Sequence, residues 1–248
     1  RQTIDGKAVQ VVTWNAPVKS PGGKDYRVVG HINSDGLVEK VTTWVEHPIY
    51  GDLQVDTNYN HYRDNNGLKY PTEIVQRRGG WPMFTAQILG AFANPSKLAE
   101  LMTIPPPPAG APAGRPPPGG APPPTTSEQL APGVHRIKGA YNSMAIEFSD
   151  HVLMFEPGPM NEARALAGIA EVKRLYPNKP IRYGVISHHH FDHTGGIAGV
   201  VAEGITIVTP EVNKAFLEQA LSGPRTLAPD AMAKSGKKAV IEGFKGDV

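Results

Sequence analysis

Cysteine is absent from the 248 residues. That excludes disulfides, a catalytic thiol and thiolate metal ligands together. Such a chain fits an exported protein without bridges, and a reducing compartment equally. A surplus of one charge is lacking too. The 25 Lys and Arg are nearly balanced by 23 Asp and Glu, for a net charge of +2, and charged residues are 19% of the chain. No nucleic-acid partner or membrane-surface field follows from that balance. The basic pairs Arg77-Arg78 and Lys237-Lys238 read as solvated. No apolar run approaches the ~20 residues that cross a bilayer, so no membrane span is expected. The chain begins at Arg1, and no leader peptide is legible in it.

What is present divides the chain at Pro105. Between Pro105 and Pro124, eleven of twenty residues are Pro and four are Gly. Proline fixes φ and removes a donor, so this stretch predicts an extended, solvated spacer between two domains. Residues 1–104 read as β-structure. Tyr26, Val28, Gly30 and Ile32 alternate, Asn33-Ser34-Asp35-Gly36 supplies turn chemistry, and Leu37 to Val45 returns as a strand. Leu53, Val55, Thr57 and Tyr59 alternate again. Asp64-Asn65-Asn66-Gly67 turns the chain into Leu68, Tyr70, Thr72 and Ile74. Phe84 to Phe92 suggests one more strand, and Lys97 to Met102 a helical turn. Pro71 predicts an edge or a bulge. Trp14, Trp44, Tyr50, Tyr59, Tyr62, Tyr70 and Trp81 are expected in a sheet core.

Past the spacer, residues 188–193 read His-His-His-Phe-Asp-His. Imidazole nitrogen and carboxylate oxygen are the usual protein ligands of zinc and similar cations. An apolar strand, Tyr183-Gly184-Val185-Ile186, leads in, and Thr194-Gly195-Gly196 opens an apolar helix. The ligands are thus expected at the carboxyl end of a strand, where open α/β sheets place their sites. Nine histidines in a chain of this length are ordinary, but four potential ligands within six residues are not. The metal ligands are expected to be His188, His190, Asp192 and His193. His189 falls outside the alternation and is expected to point elsewhere.

This His-x-His-x-Asp-His loop resembles that of the metallo-β-lactamase fold superfamily. The resemblance covers about residues 132–222. Gly133 to Ile137, Asn142 to Phe148 and Val152 to Phe155 look like its first strands, and Asn161 to Tyr176 like its first helix. Glu156-Pro157-Gly158 sits where many members carry an Asp-containing loop, and the Glu departs from that pattern. Together with the antiparallel sheet domain read over 1–104 and the linker over 105–124, the resemblance implies an α+β chain ending in an incomplete αββα sandwich over 125–248. It also implies a zinc-dependent hydrolase with two Zn ions per complete site, in which metal-bound hydroxide attacks a small-molecule substrate. His188 and His190 would serve the first metal, Asp192 and His193 the second. Asp192 is the catalytic candidate, orienting water or taking its proton.

No histidine follows His193. A catalytic zinc normally has three protein ligands and water, and this motif offers two per metal. The expectation is a fragment that holds metal weakly and is inactive alone, with one sheet face uncovered. Residues 222–248 read as a surface insertion. Residues 1–104 weakly resemble bacterial lipoprotein-carrier and lipoprotein-sorting sheets, which suggests a lipid or homodimer contact and a periplasmic or secreted setting. Two other functions fit the same residues. One is a di-iron redox centre on this fold; the other is a binding protein whose N-terminal sheet holds an apolar ligand beside a vestigial metal loop.

Overall fold

The computed structural model describes residues 2–4, 7–105 and 124–246. Apart from Pro105 and Pro124, the expected spacer lies outside the described residues. The described residues fall into two compact units. The first draws on Arg1–Asn15, Arg27–Trp44 and Gln54–Ala121, and the second on Ala16–Tyr26, Val45–Leu53 and Pro122–Val248.

One seven-stranded sheet runs in chain order: β1 (Gln2–Ile4), β2 (Lys7–Lys19), β3 (Asp25–Ile32), β4 (Val38–His47), β5 (Gly51–Asn65), β6 (Leu68–Arg78) and β7 (Trp81–Gln87). The pairs β1–β2, β3–β4, β5–β6 and β6–β7 are antiparallel. The other two links, residues 20–24 and 48–50, are far shorter than a parallel crossover requires. This is the expected meander, with two further strands before Tyr26. Its turns follow their residues. The Asn33 side-chain oxygen accepts from the amides of Asp35 and Leu37, at 3.0 and 2.9 Å. Asn66 and Gly67, with φ of 55° and 83°, close the β5–β6 hairpin as a primed turn.

One expectation holds only locally and one fails. β7 follows β6, so β6 is not an edge strand of the sheet, but its stretch at Pro71 has a strand partner on one side only. Pro71 pairs with Tyr62 of β5, and the β7 register begins at Glu73 opposite Gln87, so the missing N–H falls beyond the end of β7. Trp14 and Trp81 do not join a core: Trp81 is 76% exposed and Trp14 46%. The described residues of this unit form a single sheet layer, with α1 (Leu98–Leu101) as their only helix. Trp14 lies across Gly30, whose missing side chain leaves room for the ring.

The second sheet has the order β14-β13-β12-β11-β10-β9-β8. Its strands are β8 (Thr126–Ala131), β9 (Val134–Lys138), β10 (Ser143–Glu147), β11 (Val152–Phe155), β12 (Ile181–Val185), β13 (Thr206–Pro210) and β14 (Ile241–Phe244). From β8 to β11 the pairing is antiparallel, and from β11 to β14 it is parallel. Each parallel step is bridged by helix: α2 (Glu162–Leu175), then α3 (Phe191–Thr194) with α4 (Ile197–Glu203), then α5 (Glu211–Ser222) with α6 (Ala231–Ser235). The chain is therefore α+β, as expected.

Strand alternation sorts the faces of this sheet. Ile137, Ala145, Val152, Met154, Ile186 and Ile207 point to one side and are sealed by Ile169, Val172, Ile197, Val200, Val201 and Leu217 of the helices. The opposite face carries Met144, Ile146, Leu153 and Val185, half-buried, and the exposed Phe155. The Asn161 side chain caps α2 by accepting from the Arg164 amide at 2.9 Å. The buried face of α2 is Arg164, Ala165, Gly168, Ile169 and Val172. The described residues of the expected 222–248 insertion, 222–246, are not a surface insertion. β14 pairs with β13 (Ile207 opposite Ile241), and Met232 of α6 joins the core. Lysine and glycine spacing masked that strand, because four residues are too few to show a period.

Candidate metal centre

The metal loop leaves β12 at its carboxyl end and re-enters helix at Phe191. Several buried polar side chains brace it. Thr209 Oγ1 donates to the Ile186 carbonyl at 3.0 Å. Thr194, fully buried, directs its hydroxyl at the carbonyls of His189 and His190, 3.1 and 2.9 Å away. The backbone amides of His193 and Thr194 both donate to the His190 carbonyl at 3.0 Å, which starts the α3 turn. The two glycines that follow are required by close approach. A Cβ at Gly195 would lie 2.2 Å from the Met160 carbonyl oxygen, and one at Gly196 2.4 Å from that of Asn161.

This scaffold gathers three of the four predicted ligands. One donor atom from each of His188, Asp192 and His193 lies within 4.8 Å of the other two. The rings of His188 and His193 have centroids 4.0 Å apart. His193 Nε2 is 3.4 Å from Asp192 Oδ2. His190 lies outside that group, with its ring 4.7 Å from that of His188. His189 points away, as expected. Its ring rests on Phe216 of α5 at 4.9 Å, and its Nδ1 is 3.3 Å from the Asn213 side-chain oxygen.

Three neighbours were not legible as site residues. The Tyr141 hydroxyl, from the β9–β10 loop, donates to Asp192 Oδ2 at 2.7 Å. That bond is the main reason the Asp192 carboxyl is held below its ordinary range, and it raises the Tyr141 hydroxyl in turn. Arg164 is buried and donates to the Tyr141 carbonyl at 2.6 Å and the Ile137 carbonyl at 3.2 Å, which fixes the loop bearing Tyr141. Burial lowers the Arg164 guanidinium. Glu156 follows β11, and its Oε2 lies 3.1 Å from His193 Nδ1. Only Glu156 gave a sequence signal, as a departure from the resembled pattern. Tyr141→Phe removes the bond that favours the carboxylate, so the Asp192 pKa should rise towards its ordinary value. A carboxyl-carbon NMR titration checks this, and an unmoved Asp192 midpoint would contradict the assigned cause.

The metallo-beta-lactamase superfamily model matches residues 136–224, which hold the loop and its bracing elements. Solved structures similar to the chain include a metallo-beta-lactamase from Hirschia baltica, at 22% identity over 38% of this chain and 47% of that one, with a TM-score of 0.35. The metallo-beta-lactamase FIM-1 from Pseudomonas aeruginosa, in its mono-zinc form, is 19% identical over 50% and 52% of the two chains, with a TM-score of 0.36. One from Erythrobacter litoralis is 16% identical over 50% and 51%, with a TM-score of 0.37. The chain spans about half the length of the solved structures it matches. No curated protein matches it. The superfamily match lies entirely outside residues 1–104.

Proposed function

We propose that this chain carries the metal centre of a hydrolase, with zinc as the cation and an ester, lactone, amide or related bond as the target. The observation that carries the reading is the convergence of His188, Asp192 and His193 at the carboxyl end of β12. Three nitrogen and oxygen donors are the number a catalytic zinc takes from protein, and the set contains no competing thiolate. The donors therefore fit the cation. The motif adds His190, beside His188, as a fourth donor. The superfamily resemblance implies two zinc ions; the three-donor group accounts for one. A bound zinc would supply a Lewis acid and lower the pKa of water.

The chain's own residues supply the rest. Asp192 is the group placed to orient a water and to accept its proton. Tyr141 steadies that carboxylate, and Arg164 steadies the Tyr141 loop. The expectation of a weakly binding, inactive fragment rests on two donors per metal; with three donors converging, the zinc-loaded chain offered a panel of ester, lactone, thioester and phosphodiester probes should turn over at least one of them. Chelation or His188→Ala should abolish that turnover. Retained zinc with no turnover of any probe would leave metal binding alone and overturn the hydrolase reading.

A further inference from the structure

The first unit has a cavity of its own, about 610 Å³, lined by residues of β3, β4 and β5. Strand alternation puts Asn58, Asn60 and Tyr62 of β5 on one face with Asp56, which pairs with Lys40 of β4 at 2.9 Å. His31 of β3 is the cross-strand partner of Lys40 and shares that face. The bonds of these side chains hold them in place without exhausting them. Asn60 donates to Glu73 at 2.8 Å and keeps its oxygen as an acceptor. Tyr62 donates to the Val38 carbonyl at 2.8 Å and keeps its oxygen lone pairs. The side chains of Asn58 and His31 have no hydrogen-bond partner among the described residues.

His61 lines the same cavity at a strained position. Its φ is 55°, in the left-handed region that non-glycine residues rarely adopt. No turn accounts for it, since β5 stays paired with β6 at Asn60 and Tyr62 on either side. The strain brings Nε2 to 4.0 Å from Glu73, beside Asn60, and leaves the side chain 77% exposed. Such strain gathers at binding sites. The chemistry of the lining then selects the ligand. An apolar chain would cover these amides and hydroxyls and leave them unpaired. An anion would find Lys40 already neutralised by Asp56. Groups that both donate and accept suit hydroxyls, which do the same. The volume lies within the roughly 300–1,000 Å³ of small-molecule sites. We propose that this face of the first sheet binds a short neutral oligosaccharide, independently of the metal centre.

The test titrates the full chain with maltotriose, cellotriose and tri-N-acetylchitotriose. The side-chain amide signals of Asn58 and Asn60 are followed in 1H–15N spectra. At least one trisaccharide should shift both signals to saturation. Asn58→Ala should weaken that saccharide by about tenfold, the loss of one polar partner. His61→Gly suits the left-handed φ, so it should raise the melting temperature while weakening binding. That second variant keeps the test open if Asn58→Ala folds poorly. No saturable shift with any of the three saccharides overturns the proposal. So does wild-type affinity in either folded variant. Saturable shifts of the same two signals by dodecanoate or trialanine, and by none of the saccharides, would assign the face to an apolar chain or a peptide instead.

Discussion

Asp192→Asn should leave the fold in place and cost zinc affinity more than the roughly 10–100-fold typical of a supporting group. The side chain lies in the first turn of α3 and is 39% exposed, so the isosteric amide disturbs no packing. What changes is the donor. An anionic oxygen becomes a neutral one, beside two imidazoles that carry no negative charge of their own. The hydrogen bond from Tyr141 at 2.7 Å can persist to the amide oxygen, which keeps the geometry and isolates the effect of charge. Isothermal titration with zinc, paired with a thermal melt, separates the two. Unchanged affinity at an unchanged melting temperature would remove Asp192 from the donor set.

Arg225→Ala should destabilise the second unit by about 3–5 kcal/mol, the cost of breaking a buried ion pair from one side. Arg225 is 6% exposed. Its guanidinium donates to Asp230, to the Ile49 carbonyl, and to the Pro48 carbonyl at 3.1 Å. Alanine leaves those groups without their buried donor. Nearby, Asp52 accepts from Thr226 Oγ1 at 2.7 Å and from the Leu227 amide at 2.9 Å, while the Asp52 amide donates to the Pro224 carbonyl at 2.7 Å. Residues 45–53 are thus a working part of the unit that holds the metal loop, although more than a hundred residues of sequence separate them from it. Urea unfolding reads the loss, and a change below about 1 kcal/mol would mean that water replaces the guanidinium.

That clasp also marks where sequence reading stops. The division at Pro105 rests on composition, which sees chain flexibility and nothing of long-range bonds. No local pattern around Pro48 or Asp52 announces partners near Arg225. The elements around the metal loop were legible because their signals are local: an apolar strand into 188 and glycines at 195 and 196. Tyr141 was invisible for the opposite reason, since one tyrosine on a loop carries no period and meets Asp192 only through the fold. The same holds for β14, which four residues define only by pairing with β13. The sequence places the four expected donors within six residues. Backbone geometry then brings three together and leaves His190 beside them, a distinction that spacing alone does not make.

The most direct test of the metal centre is the zinc content of the purified chain after dialysis against metal-free buffer, measured by elemental analysis. The convergence of His188, Asp192 and His193 predicts about one zinc retained per chain, lost in His188→Ala. A wild-type chain that retains none, and takes up none when zinc is added back, would contradict it.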